Sequence, residues 1–240
     1  MRALYLTISL VAAAAWAQPN FAADLSLGYE AFTDGDYDSA WNELLPLAGQ
    51  GNHIAAYYVG MMYLEGRGTA KDVEKAVGWL TRAAERGHVA AQLQLAQIYE
   101  AGTLGEEDFR LAAKWMQAAA EGGDADAQYY LGRYYAEGIG VVANPALAYE
   151  WIHRSVEYDD SHARFLDALL YLGSAFEWGR GLRQDLVESY KWFALAESYS
   201  VNEENIHVEA SRALGALGLR LSAADRTEAE DRAVAWRETR

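Results

Sequence analysis

Three acidic residues near the amino terminus have the spacing with which a calcium-binding loop begins. Asp34, Asp36 and Asp38 stand at alternate positions, as the first oxygen ligands of such a loop do. The rest of the pattern is absent, because Ser39 stands where the loop needs glycine and Leu45 where it needs a bidentate glutamate. We therefore interpret this segment as a turn followed by a helix cap, and we predict no metal site.

Other patterns that can carry chemistry are also incomplete. The segment 138–143 has the letters of a dinucleotide fingerprint, but it follows a predicted helix instead of a strand. The 5 histidines show no metal-ligand spacing, and the chain has no G-x-S-x-G elbow, P-loop or H-E-x-x-H motif. The sequence thus predicts no catalytic residue and no cofactor, although a catalytic pair among its many carboxylates stays an open alternative.

Composition and charge narrow the classes of function. The 240 residues include 35 Asp and Glu against 20 Lys and Arg, which gives a formal net charge of -15. Nucleic-acid binding needs a basic surface, so we predict no nucleic-acid partner. The absence of cysteine excludes disulfides, thiolate zinc sites and cysteine nucleophiles. The hydrophobic content of 52% suffices for a sizeable core, and the net charge disfavours self-association, so we expect a monomer.

The amino terminus has the pattern of a secretory signal peptide. An apolar run covers residues 3–17 and ends in the small-x-small triplet Ala15-Trp16-Ala17. We predict a signal peptide at residues 1–17, with an alternative cleavage position after Ala22. The run is shorter than the roughly 20 apolar residues that span a bilayer, and no later segment is longer. We therefore predict a periplasmic or secreted protein without a membrane span after cleavage.

The remainder of the chain repeats. Four times a small residue stands 19 positions before a tryptophan, and the tryptophans follow one another at intervals of 36, 36 and 41 residues. The small residues are Gly60, Ala96, Gly132 and Gly173, and the tryptophans are Trp79, Trp115, Trp151 and Trp192. A period in this range is typical of solenoids, in which stacked units share one continuous core.

Each copy carries the signals for a helix, a tight turn and a second helix. The small residue allows the second helix to approach closely, and a glycine six positions later suits the left-handed conformation that ends a helix. An Asp or Asn seven positions before the tryptophan suits an N-cap, and Pro145 fits a first helical position. The turn glycines are Gly66, Gly102, Gly138 and Gly179, and the capping residues are Asp72, Asp108, Asn144 and Asp185.

These signals predict seven segments along the chain. They are the signal peptide at 1–17, an N-terminal helical hairpin cap at 23–50, repeats at 51–86, 87–122, 123–158 and 164–199, and C-terminal capping helices at 208–240. The terminal units are predicted as caps because the ends of a solenoid need one polar face. Two insertions, around 158–167 and 199–208, are predicted to lengthen the connections between helices.

The repeated pattern resembles the Sel-one-like repeats, relatives of the tetratricopeptide repeats. The resemblance is clearest in AAYYVGMMYLEGRGTAKDVEKAVGWLTRAAERG from Ala55 to Gly87 and in AQYYLGRYYAEGIGVVANPALAYEW from Ala127 to Trp151. The departures are Leu104 for a turn glycine and the pair at 155–156 in place of Ala-Ala. The resemblance implies an all-α solenoid, a right-handed superhelix of helix pairs, which serves as a binding scaffold and has no common ligand or catalytic residue.

In relatives, the first helix of each pair lines a concave groove, which implies where a protein or peptide partner would bind. Carried over to this chain, the binding residues are Ile54, Tyr57, Met61, Glu65, Leu93, Gln97, Asp126, Tyr129, Arg133, Glu137, Asp167, Leu170, Ser174 and Trp178. Two interpretations stay open for Tyr57, Leu93 and Tyr129, which suit either this groove or the core between repeats. Arg133 suits either a carboxylate of the partner or a local salt bridge to Glu137.

The predicted function is that of a non-enzymatic scaffold or adaptor of the bacterial envelope. Its groove would bind a peptide or protein partner and so assemble or regulate it. Two alternatives belong to other classes. One is a cell-wall glycan binder with Tyr and Trp faces as sugar platforms. The other, implied by the resemblance because some relatives are described as weak hydrolases, is an enzyme for cell-wall-like or lactam substrates.

Overall fold

The computed structural model describes residues 21–157, 161 and 163–239, so the predicted signal peptide at 1–17 lies outside the described residues. The described residues form helices and no strand, which confirms the all-α prediction. The helices are α1 (Phe21–Asp34), α2 (Tyr37–Gly49), α3 (His53–Glu65), α4 (Val73–Ala84), α5 (Val89–Glu100), α6 (Phe109–Glu121), α7 (Ala125–Glu137), α8 (Pro145–Ser155), α9 (Phe165–Trp178), α10 (Leu186–Tyr199), α11 (Glu204–Gly218) and α12 (Ala223–Glu238). None of these helices combines the length and apolar character that crossing a membrane requires.

Consecutive helices pack as pairs, and the pairs stack into a solenoid. α1 packs on α2, and the same holds for α3 with α4, α5 with α6, α7 with α8 and α9 with α10. The second helix of each pair also contacts the first helix of the next, and the apolar core runs along the stack as two clusters that meet at α7. We call α3, α5, α7, α9 and α11 first helices.

The turns follow the predicted chemistry in three of the four repeats. Gly66, Gly138 and Gly179 end α3, α7 and α9 in the left-handed conformation. The predicted capping side chains at the starts of α4, α6, α8 and α10 accept backbone N–H groups of the first turn. Pro145 occupies the first position of α8, where no N–H is needed. These predictions are confirmed.

The turn of the second repeat is built differently. α5 ends at Glu100, and the residue that follows, Ala101, keeps the right-handed conformation. The predicted turn glycine, Gly102, is left-handed as expected, but the second left-handed position falls on Gly105, and Leu104 is exposed between the two glycines. The departure of Leu104 from the repeat pattern therefore changes this turn, while α5 and α6 remain packed together.

The second glycine of the other turns forms a joint between repeats, a role that the sequence analysis did not assign. Each such glycine lies against the first residue of the second helix in the preceding pair. The joints are Gly68 with Tyr37, Gly140 with Phe109 and Gly181 with Pro145. A Cβ atom at these glycines would lie 2.5, 1.8 and 2.1 Å, respectively, from the carbonyl oxygen opposite. No side chain fits there, so glycine sets the distance between these units.

Buried glutamines add a second joint between repeats. Gln92 on α5 donates from Nε2 to the carbonyl oxygen of Ala84 at 3.0 Å, and Gln128 on α7 donates to that of Ala120 at 3.2 Å. Both carbonyls belong to the last turn of the preceding helix, where the carbonyl oxygens lack N–H donors from within the helix. Each glutamine therefore ties a first helix to the pair before it.

The carboxyl-terminal end has a different arrangement from the repeats. α11 and α12 both lie against α10, and Trp236 of α12 approaches Trp192 with ring centroids 5.6 Å apart. The predicted insertion at 199–208 is wrong in extent, because α11 begins at Glu204 and the connection is only 200–203. Residues 204–208, which were assigned to that insertion, instead begin α11.

Candidate functional site

A groove runs along the first helices in the carboxyl-terminal half of the molecule. One cavity of about 760 Å³ lies between α7 and α9, and a second of about 640 Å³ lies between α9 and α11. Leu170 and Glu209 line both cavities, so the two cavities adjoin each other. We call these two adjoining cavities the α7–α11 groove. Its size is sufficient for several side chains of a bound segment.

Part of the predicted binding set meets in this groove. The first cavity is lined by Tyr129, Arg133, Glu137, Asp167 and Leu170, and the second by Leu170 and Ser174. Trp178 lies one helical turn beyond Ser174 at the end of α9 and is 62% exposed. The structure thus brings residues of two predicted first helices together, and it adds α11 as a third wall.

The predicted residues of α3 and α5 lie outside these cavities. Tyr57, Met61 and Leu93 are half-buried against the core, Ile54 is half-buried, and Glu65 and Gln97 are exposed. The ring of Tyr57 stacks on His88 with centroids 4.5 Å apart. Tyr57 and Leu93 therefore contribute to packing between repeats, which was one of their two interpretations.

Arg133 forms a local ion pair. Its Nε atom donates to Oε1 of Glu137 at 2.6 Å, and its Nη1 atom donates to the hydroxyl of Tyr129 at 3.4 Å. Tyr129 is only 5% exposed, and burial raises the pKa of its phenol. Of the two interpretations of Arg133, the salt bridge to Glu137 is the one present, so this guanidinium stiffens one wall of the groove.

A second set of polar contacts lies where α9 begins. Arg164 donates from Nε to the hydroxyl of Tyr130 at 2.7 Å and from Nη1 to Asp167 at 3.4 Å. Its backbone N–H donates to Asp126 at 3.2 Å. Asp126 and Tyr130 of α7 are thus tied to the beginning of α9 through Arg164, while Asp167 pairs with the same arginine from within α9.

Four charged residues of the groove were missed by the sequence analysis. Arg180 lines the first cavity, Glu204 and Arg212 line the second, and Glu209 lines both. Within the residues that the structure describes, none of the four takes part in a salt bridge. They were missed because the binding residues were carried over only from the first helices of the repeats, whereas Arg180 lies in the turn after α9, Glu204 in a predicted insertion, and Glu209 and Arg212 in the predicted capping helices.

Sequence similarity now assigns the chain to a family. The sequence model of the Sel1 repeat matches residues 53–88, 89–124, 125–157 and 166–198, which together make up more than half of the chain. The chain belongs to the Sel1 repeat family. The resemblance to the Sel-one-like repeats and the solenoid fold predicted from it are therefore confirmed, and proteins built from Sel1 repeats are generally non-catalytic scaffolds for protein interactions.

Two solved structures are similar to this Sel1 repeat protein. A Sel1 repeat protein from Oxalobacter formigenes is 28% identical, with 88% of this chain and 82% of that chain covered and a TM-score of 0.71. A protective antigen present in uropathogenic Escherichia coli strains, which displays an SLR fold, is 22% identical over 91% of this chain and 53% of its own, with a TM-score of 0.51. The second similarity shows the fold alone. No curated protein matches the chain.

The aspartates with calcium-like spacing have a structural role in this Sel1 repeat protein. Asp36 caps α2 by accepting the backbone N–H of Ser39 at 3.2 Å, and these hydrogen bonds lower the pKa of its carboxyl group. This confirms the interpretation as a turn and a helix cap. Among residues 21–157, 161 and 163–239, no group of His, Asp and Glu is placed so that it could hold a metal ion.

His88 is a capping residue whose cap depends on its protonation state. Its Nδ1 atom accepts the backbone N–H of Ala91 at 3.3 Å, which caps α5 and requires the neutral imidazole. Burial between repeats, followed by the charge of His53 at a ring distance of 6.0 Å, lowers the pKa of His88 below its usual 6.5. Protonation of Nδ1 would remove the cap.

This cap predicts a pH dependence of stability. The lowered pKa of His88 stabilises the fold above about pH 6.5, and this contribution is lost as the pH falls towards the pKa in the folded chain. Asparagine caps α3 at Asn52, so His88→Asn should cap α5 without titrating. Between pH 7.5 and 5, we expect the variant to lose less unfolding free energy than the wild type, by up to about 1 kcal/mol, the usual contribution of a cap.

Urea unfolding at a series of pH values measures this difference. His153 also has a pKa lowered by burial, but it is present in both proteins, so their difference isolates His88. An identical pH dependence in the two proteins would show that protonation leaves the α5 cap intact.

Proposed function

We propose that this Sel1 repeat protein is a non-enzymatic scaffold that binds a segment of a protein partner in the α7–α11 groove. The observation that carries the proposal is that two cavities adjoin each other across three first helices, with Leu170 shared between them. A groove of this length offers an apolar floor and charged edges to several side chains in succession, as peptide recognition requires. The general role of Sel1 repeats as interaction scaffolds supports the same function.

The walls of the groove are stiffened before a partner binds. The pair of Arg133 with Glu137 stiffens the face of α7, and Arg164 ties the beginning of α9 to α7. On the other side, Glu177 accepts from Nη1 of Arg220 at 2.7 Å, which ties the end of α9 to the end of α11. A groove whose walls are already positioned loses little conformational entropy on binding, which favours affinity.

We further propose that the protein acts in the bacterial envelope and that binding there assembles or regulates the partner. The apolar segment at 3–17 and its small-x-small ending support export from the cytoplasm. The net charge of -15 supports a soluble, monomeric adaptor that approaches its partner by diffusion.

Photocrosslinking from two serines tests the groove. A photoreactive amino acid is placed at Ser174, which lines the second cavity, or at Ser198, which is exposed on the second helix α10. We expect adducts with one protein from Ser174 only, identified by mass spectrometry after irradiation of living cells. The purified partner should then bind the wild type and lose affinity for Ser174→Trp, which fills the cavity. Equal adducts from both serines, or binding that Ser174→Trp leaves unchanged, would contradict the proposal.

A further inference from the structure

Some charged residues of the α7–α11 groove have salt-bridge partners within the chain, and others have none among the described residues. Arg133, Asp167 and Glu177 all have ionic partners. By contrast, four other charged residues of the groove have no salt bridge among the described residues. They are Arg180, Glu204, Glu209 and Arg212. Their charges are available to a partner, because they line open cavities.

These four charges give the groove a direction. α9 and α11 run side by side in the same sense, since Glu177 in the last turn of α9 pairs with Arg220 just beyond α11. Glu204 is the first residue of α11 and Glu209 lies about one turn further, whereas Arg212 follows later in the same helix. Arg180 comes directly after Gly179, which ends α9. Along the axes of these helices, the acidic pair therefore lies nearer the start of α11, and the arginines lie nearer the ends of the helices, although each cavity is lined by charges of both signs.

Helix dipoles account for only two of the four charges. A cation beyond the end of a helix and an acid in its first turn are stabilised by the dipole, as for Arg180 and Glu204. Glu209 and Arg212 lie in the middle of α11, where the dipole has little effect. Neither a salt bridge nor the helix dipole therefore stabilises these two charges, so the stability of the fold does not account for them.

An exposed tryptophan lies close to Arg180 at the end of α9. Trp178 holds the position that Glu65, Ala101 and Glu137 hold in the other repeats, five residues after the small residue. It extends the stripe of Leu170 and Ser174 along α9, and 62% of it is exposed to solvent. Tryptophan and arginine are the residue types that most often dominate binding energy at protein interfaces.

We propose that the partner segment is amphipathic, carries both signs of charge and binds in one direction. Its apolar residue packs on Trp178, its carboxylates pair with Arg180 and Arg212, and its basic groups lie towards Glu204 and Glu209. This inference rests on the proposed function, because the site is the same groove. It adds the chemistry of the partner and the orientation in which the partner is bound.

Selection of displayed peptides on the purified protein tests the chemistry without a known partner. The probes are random 12-residue peptides, selected in parallel on the wild type and on the double variant Arg180→Glu/Arg212→Glu. A matched control, Arg110→Glu/Arg237→Glu, makes the same change in net charge at two exposed arginines outside the groove. We expect the wild type and the control to enrich peptides with an apolar residue beside Asp or Glu and with Lys or Arg towards the other end.

The strongest peptide is then synthesised for affinity measurements. We expect at least about 10-fold weaker binding to the double variant and to Trp178→Ala, with little change in the control. The same peptide with its acidic and basic ends exchanged should also bind at least about 10-fold more weakly.

The outcomes separate this inference from the proposed function. Peptides that lose binding to Ser174→Trp but show no acidic preference, or that bind the double variant equally well, would overturn the charge polarity and leave the groove as the binding site. The absence of enriched peptides, or binding that Ser174→Trp does not affect, would contradict the groove itself and the inference with it.

Discussion

Replacement of Gly140 by alanine is expected to destabilise this protein by on the order of 4 kcal/mol. Gly140 has a backbone φ of +66° and lies at the joint between the pair α5–α6 and the pair α7–α8. A Cβ atom would lie 1.8 Å from the carbonyl oxygen of Phe109 and 2.4 Å from its carbonyl carbon. Both are backbone atoms, so the contact is relieved only if the two pairs move apart.

Gly87→Ala is the matched control for Gly140→Ala. Gly87 has a φ of +82°, but no atom lies within 4 Å of the position where its Cβ would be. This variant therefore carries only the cost of the left-handed conformation, about 1 kcal/mol. The difference between the two variants isolates the cost of separating the repeats.

Urea unfolding and hydrogen exchange together measure the effect of Gly140→Ala. Repeat proteins are stabilised by interfaces between neighbours, so a weakened joint should split unfolding into two transitions. We expect faster amide exchange in α5 to α8 and a second transition that is absent in Gly87→Ala. Equal stability of the two variants would show that the joint adjusts without loss.

The solenoid could be predicted because its determinants are local. The left-handed glycines, the Asp and Asn caps and Pro145 act within one turn of the chain, and each recurs at fixed spacing. Such signals identify helices, turns and the repeat even when only one sequence is considered. They contain no information about which units touch, and the role of Gly140 at the joint with Phe109 followed only from the structure.

The binding groove was less predictable for the same reason. Arg133 was a candidate for a partner carboxylate, but Glu137 lies one turn away and pairs with it. That Arg180 after α9 and Arg212 on α11 both line the groove followed only from the structure, in which α11 forms the third wall. Sequence periodicity assigns a residue to a helix face, whereas pairing and solvent access depend on neighbours distant in sequence.

Replacement of Gly132 by alanine is expected to destabilise the protein by about 2 kcal/mol, although alanine favours a helix by about 1 kcal/mol. Gly132 lies in the middle of α7, where a Cβ atom would be 2.4 Å from Cγ1 of Ile152 and 2.9 Å from the carbonyl oxygen of Ala148. Ile152 is fully buried on α8 and has no space into which it can move. Overpacking therefore outweighs the gain in helix propensity.

Two further variants test this explanation of Gly132→Ala. Gly78 lies in α4 with no atom within 4 Å of its Cβ position, so Gly78→Ala should stabilise the protein by about 1 kcal/mol.

The second repeat has Ala96 at the position of Gly132, and Met116 at the position of Ile152. Methionine is unbranched and flexible, so adding Ile152→Met should recover most of the stability lost in Gly132→Ala. Thermal and urea unfolding of the single and double variants measure the coupling. No recovery in the double variant would contradict the branched side chain as the cause, because it would leave the close approach of Ala148 as the source of the loss.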